Sequence, residues 1–91
     1  MRLQLMTWPQ VEQHVKASRG VIIPTGATEQ HGPIGPIGTD AICAESLAWT
    51  VGEKANAIVA PTISYGMSLH HMRFPGSVTL RLRPSSLWCA T

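Results

Sequence analysis

Two short apolar runs frame the middle of the chain, and both are continuous rather than alternating. Val21-Ile22-Ile23 stops at Pro24, and Ala57-Ile58-Val59-Ala60 stops at Pro61. Runs of this length, β-branched and closed by proline, predict strands of a parallel sheet buried on both faces. Between them, from Asp40 to about Lys54, apolar positions recur with a helical period. Cys43, Ala44, Leu47, Ala48 and Val51 share one face, while Glu45, Ser46, Thr50, Glu53 and Lys54 fall elsewhere. Thr39 or Asp40 can cap this helix, and Gly52 and Asn56 mark its end. Strand, loop, helix and strand in this order predict one right-handed βαβ crossover.

The flanks follow the same logic. Thr7-Trp8-Pro9-Gln10 reads as a capping box with proline in the first turn, opening a short helix whose stripe is Trp8, Val11 and Val15. Lys16 and Arg19 suit its C-terminal end, Gly20 its left-handed cap, and His14 lies off the stripe, which predicts an exposed polar residue. Beyond the second strand, Val78-Thr79-Leu80-Arg81-Leu82-Arg83 alternates with period two, as a half-exposed or edge strand does. Pro84-Ser85-Ser86-Leu87 reads as a helix start, with the residues to Thr91 continuing it. Ile42 and Trp49, one heptad apart, project away from the main stripe of the central helix. They predict a second covering surface, either further chain or a neighbouring subunit.

Composition narrows the class. The chain has 91 residues, enough for one domain with a thin core. Only 13% of residues are charged, which suits a piece of a larger α/β body or an oligomer subunit. A net charge of +2, with Lys16, Arg19, Lys54, Arg73, Arg81 and Arg83 scattered, does not describe a nucleic-acid binder. Cys43 and Cys89 form no C-x-x-C pair and read as buried or incidental thiols of a reducing compartment. No apolar run approaches the roughly 18 residues of a spanning helix, and no signal-type apolar segment follows Met1, so a soluble, cytoplasmic protein without membrane contact is expected.

The chemistry is concentrated in residues 24 to 40, where four glycines and three prolines rule out regular structure. This loop leaves the C-terminal end of the first strand, the end at which open α/β sheets bind ligands. Glu29 and His31 are two apart, so extended backbone points both to one side, and Asp40 at the helix start can return to the same spot. A carboxylate, an imidazole and a second carboxylate make a nitrogen and oxygen set suited to zinc, manganese or iron in a hydrolytic site. The competing reading is a polar turn, with Glu29 solvated, His31 bonded to a backbone carbonyl and Asp40 capping its helix. No G-x-x-x-x-G-K-[ST] or G-x-G-x-x-G segment supports a nucleotide site, and Ser46, Ser68 and Ser77 lack the G-x-S-x-G elbow of a serine nucleophile.

Pro24-Thr25-Gly26-Ala27-Thr28-Glu29-Gln30-His31-Gly32-Pro33, then Pro36-Ile37-Gly38-Thr39-Asp40, and later Tyr65-Gly66 with His71 and Phe74-Pro75-Gly76, together resemble the creatininase (creatinine amidohydrolase) family. The resemblance runs from Trp8 to about Arg81. It implies a three-layer α/β/α fold with a mainly parallel sheet, of which this chain would be a truncated N-terminal βαβ portion. It also implies a two-metal centre of zinc or manganese type, a small-molecule substrate, homo-oligomers in the full-length family, and hydrolysis of a cyclic amide or related C–N bond by metal-activated water. Glu29 and His31 resemble ligands of one metal each and Asp40 the bridging ligand; Ser68 and His71 would line the pocket rim, as substrate contacts or as support for the ligands. His70 has no counterpart and is expected to be structural. Ile34 stands where a histidine often occurs. The family's later half supplies another metal-binding histidine and a further acidic ligand, whereas no His, Asp or Glu follows Gly76 here. The expectation is therefore a single partial domain over residues 1 to 91, with an atypical tail from about Pro84 of truncated or frameshifted appearance. It would be an incomplete hydrolase or, alternatively, a non-catalytic remnant or assembly module using Ile42 and Trp49.

Overall fold

The structure is a computed structural model that describes residues 1–80 and the backbone of 88–90. Helix α1 spans Trp8–Ala17. Its capping box is present: the Thr7 amide donates to Gln10 Oε1 at 2.9 Å, satisfying a donor ahead of the first turn. The expected glycine cap is not used. Ser18 leaves the helix in extended conformation and its amide closes on the His14 carbonyl at 2.9 Å, so Gly20 has no left-handed role. His14 also departs from expectation: it is half-buried, and its Nε2 is shielded from water without a hydrogen-bond partner.

Strand β1 (Val21–Ile22) and strand β2 (Ile58–Val59) pair in parallel, Val21 opposite Ile58 and Ile22 opposite Val59. Helix α2 (Thr39–Ala55) connects them, which gives the expected βαβ unit. Further parallel bridges join Arg2 to Val59, Thr25 to Ile63 and Gly66 to Thr79, so mainly parallel pairing extends past both prolines. Strand β3 (Val78–Leu80) pairs antiparallel with strand β4 (Trp88–Ala90). The helix expected to continue to Thr91 is thus replaced over residues 88–90 by a strand; its proposed start at Pro84 and the Arg81 to Arg83 extension of β3 lie outside the described residues.

The apolar core is where α2 meets β2: Ala48, Ile58 and Val59 are buried, and Val78 is buried farther along. Gly52 lets the helix approach, because a Cβ there would stand 2.5 Å from Val59 Cγ2. The buried side of α2 therefore runs through small residues, Ala44, Ala48 and Gly52. Leu47 and Val51, expected on the sheet, face outward, and so does the Cys43 thiol. Close backbone approach selected the small side of the helix over its bulkier one. Asn56 ends the helix in left-handed conformation, φ 52°, as its sequence position predicts.

Val21 and Ile23 are each more than half exposed, 51% and 54%, so among the described residues β1 is not covered on both faces. Ile42 is exposed, but Trp49 is not its partner on a free face. The Arg2 guanidinium lies 3.5 Å over the Trp49 ring, covering it from within the chain. No helix among the described residues is long and apolar enough to cross a membrane.

Candidate metal centre

A side-chain-free residue brings the two ends of the loop together. A Cβ on Gly26 would stand 2.6 Å from the Ala41 amide nitrogen and 2.7 Å from the Asp40 carbonyl carbon, both backbone atoms that cannot rotate away. With glycine there, the exit of β1 lies directly on the first turn of α2, which starts after Gly38 with Asp40 in its first turn. The Glu29 amide closes the loop on the Ile37 carbonyl at 3.2 Å. Gly76 has φ +92° and would meet Ile37 if it carried a Cβ, so the Phe74-Pro75-Gly76 turn packs on the same loop.

Glu29, His31 and Asp40 are assembled as the spacing predicts. One potential ligand atom from each lies within 4.8 Å of the others, and His31 Nε2 stands 3.4 Å from Asp40 Oδ1. Two atoms each about 2.0–2.1 Å from a tetrahedral zinc stand about 3.4 Å apart, so this pair has the separation an ion between them requires. The polar-turn alternative does not describe these residues. Glu29 is mostly withdrawn from water, His31 faces a carboxylate, and Asp40 follows the cap instead of forming it.

Ser68 is not at a rim: it is fully buried, and its hydroxyl donates to Glu29 Oε2 at 2.6 Å. That hydrogen bond, above all, holds the Glu29 carboxyl below its usual pKa; burial opposes it, and the imidazoles of His71, His70 and His31 assist. The Ser68 amide in turn donates to Thr79 Oγ1 at 2.8 Å, which ties the second loop to β3. His71 lies in the 3₁₀ turn Leu69–His71, half-buried, with Nε2 3.8 Å from Glu29 Oε2 and Nδ1 2.8 Å from Gln30 Nε2.

Sequence reasoning missed four members of this arrangement. His70 joins Glu29 and His71 in a second group of potential ligand atoms within 4.8 Å, instead of standing apart. Gln30 bridges the two loops, donating through its backbone amide to Ser77 Oγ at 3.1 Å and touching His71 through its side chain. Ser77 and Thr79 are fully buried acceptors beneath the site. The signal for Gln30 was available: if Glu29 and His31 share a side of an extended segment, the residue between them must face the other way.

Beside the loop lies a cleft of about 410 Å³ lined by Gln30, Gly32, Pro33, Ile37, Phe74 and Pro75. A larger groove of about 530 Å³ runs along α1 past Leu5, Met6, Gln10 and His14, and its lining includes no member of either ligand group.

Known proteins resemble this chain in sequence and in fold. The chain is 44% identical over 66 residues to a mycofactocin precursor peptide peptidase of Mycolicibacterium smegmatis, covering 66% of this chain and 27% of that protein. It is 38% identical over 79 residues to a 3-dehydro-scyllo-inosose hydrolase of Thermotoga maritima, covering 86% and 25%. With a creatinine amidohydrolase of Pseudomonas putida it shares 31% over 81 residues, covering 82% and 31%. The chain thus spans about a quarter to a third of the length of these curated relatives. The crystal structure of a creatinine amidohydrolase (creatininase) superposes with a TM-score of 0.78 at 29% identity, over 87% of this chain and 33% of that one. The family profile for creatininase, creatinine amidohydrolase, matches residues 4–86, and the chain belongs to the creatininase family.

Proposed function

We propose that this chain is a single partial domain carrying the first half of a divalent-metal hydrolytic centre, with Glu29, His31 and Asp40 as ligands of zinc or manganese. The observation that carries this reading is the mutual approach of the three ligand atoms within 4.8 Å, with the His31 to Asp40 separation of 3.4 Å. The donor set is of the type that catalytic zinc and manganese take. A bound divalent ion would supply an activated water and a polarised carbonyl. The chain's own residues supply the rest: Ser68 fixes Glu29 Oε2, Asp40 sits at a helix start whose backbone dipole favours its negative charge, and the cleft beside Gln30 offers room for a small substrate.

The substrate we infer is a small amide, with hydrolysis of a cyclic amide or related C–N bond. Two of the relatives are named for peptide or amide hydrolysis, a peptidase and an amidohydrolase, while a third is named a 3-dehydro-scyllo-inosose hydrolase. We place the protein in the cytoplasm, where the exposed Cys43 thiol remains reduced, and read it as a subunit of homo-oligomers. Leu47 and Val51, exposed one turn apart on α2, favour burial against further protein, although the Ile42 and Trp49 pair does not form such a face.

Titration of the protein with zinc and with manganese, followed by calorimetry, tests the reading. Stoichiometric binding that weakens more than about tenfold in Asp40→Ala is expected. Absence of stoichiometric binding, or an affinity indifferent to Asp40→Ala, would overturn it.

A further inference from the structure

Two groups of potential ligands share Glu29: Glu29 with His31 and Asp40, and Glu29 with His70 and His71. We propose that Gln30 is a positioning residue that locks His71 as an Nε2–H hydrogen-bond donor and so withholds it from ligation in the second group.

The argument follows donors and acceptors across two loops. The Gly32 backbone amide can only donate, and it does so to Gln30 Oε1 at 2.8 Å. The oxygen of the Gln30 amide is thereby identified, and its NH2 group faces the other way, 2.8 Å from His71 Nδ1. An amide NH2 also can only donate. His71 Nδ1 must therefore accept, and the proton of the neutral ring sits on Nε2. The lock is anchored from below as well, since the Gln30 backbone amide donates to the fully buried Ser77 hydroxyl at 3.1 Å. Coordination through Nδ1 would displace the Gln30 hydrogen bond, and coordination through Nε2 would require moving the proton to Nδ1, where an amide hydrogen already points.

The Nε2–H therefore has a different use. It lies 3.8 Å from Glu29 Oε2, too long for a direct hydrogen bond, and that oxygen already receives the Ser68 hydroxyl at 2.6 Å. The donor is held close to the carboxylate yet remains available to a third group, and the chemistry it selects is an acceptor oxygen such as an amide carbonyl. The tautomer assignment stands without any metal. Only the role toward a substrate carbonyl rests on the hydrolytic reading above.

Metal-free protein labelled with 15N-histidine tests the lock, using long-range 1H–15N spectra at neutral pH, with the His71 signals assigned by their loss in His71→Gln. The expected wild-type pattern is an unprotonated Nδ1 and a protonated Nε2. Gln30→Glu keeps the oxygen that accepts from Gly32 and presents an acceptor to the ring, so Nδ1 should become protonated. Gln30→Met, which offers neither, should give a mixture of both tautomers. A protonated Nδ1 in the wild type, or a wild-type pattern that persists in Gln30→Glu, would overturn the proposal. Failure of the metal titration would sink the hydrolytic reading and leave these spectra unchanged.

Discussion

Where α2 lies on β2 the buried matter is hydrocarbon: Ala48, Ile58 and Val59 around the bare backbone of Gly52. Beneath the Glu29 to His31 segment the buried side chains are hydroxyls, Ser68, Ser77 and Thr79, each completely withdrawn from water. The first contact is non-directional and contributes stability in proportion to the area removed from water. The second fixes angles, because each hydroxyl meets an amide or a carboxylate of the site at 2.6–3.1 Å. Stability and geometry thus have separate sources, and substitutions can be chosen to strike one without the other.

The largest effects are expected at two of the close-approach glycines, Gly26 and Gly52, and they should differ in kind. Gly26→Ala forces a Cβ onto the backbone of Asp40 and Ala41 and should cost about 1–3 kcal/mol. It should also weaken metal binding more than tenfold, because Asp40 moves. Gly52→Ala presses mainly on the Val59 side chain, with the Ala57 carbonyl oxygen at 3.3 Å, and should lower stability within the same range of about 1–3 kcal/mol while leaving metal affinity within about twofold. Urea denaturation and metal titration on both variants read the contrast. Equal losses of affinity would show that the two regions are not separable.

Next in size is Ser68→Ala, which removes the hydroxyl holding Glu29 Oε2. A loss of about 10–100-fold in metal affinity is expected, the range typical of groups that orient a ligand. Its pH dependence has a definite sign. Glu29 in the folded chain titrates below its ordinary value of 4.5, so its stabilising contribution is full above that pH and is lost as pH falls through the lower folded value. The stability difference between wild type and Ser68→Ala in metal-free protein should therefore be largest above pH 4.5 and narrow in acid. A gap that widens on acidification would contradict the assigned bond.

The smallest effect is at the periphery. Arg2→Ala uncovers Trp49 and should cost about 0.5–1 kcal/mol by thermal or chemical denaturation, with no change in metal affinity.

The same contrast explains what was readable in the sequence. Glycine, proline and period placed α2 almost to the residue, and spacing together with the family resemblance grouped Glu29, His31 and Asp40. The face of α2 was misread because hydrophobicity ranks Leu47 and Val51 above Ala44 and Gly52, whereas the contact with Val59 is limited by how close two backbones can come. Thr79 was misread for a related reason. Alternation along Val78-Thr79-Leu80 puts threonine outward, but the Ser68 amide requires an acceptor inside, and Leu80 is the residue left partly exposed. Buried hydroxyls that serve a distant loop carry no periodic signal. His14, half-buried beside a groove formed with the first six residues, depends likewise on contacts that no local pattern encodes.

The hydroxyl-to-amide contacts also bear on the time dependence of the site. The amides of Gln30 and Ser68 belong to no helix or sheet ladder, yet they donate to the buried oxygens of Ser77 and Thr79. Such amides exchange with solvent only when the loops lift from Ser77 and β3. In a hydrogen-exchange record they would stand out as slow protons in otherwise irregular segments, and their common rate would time the opening of the cleft.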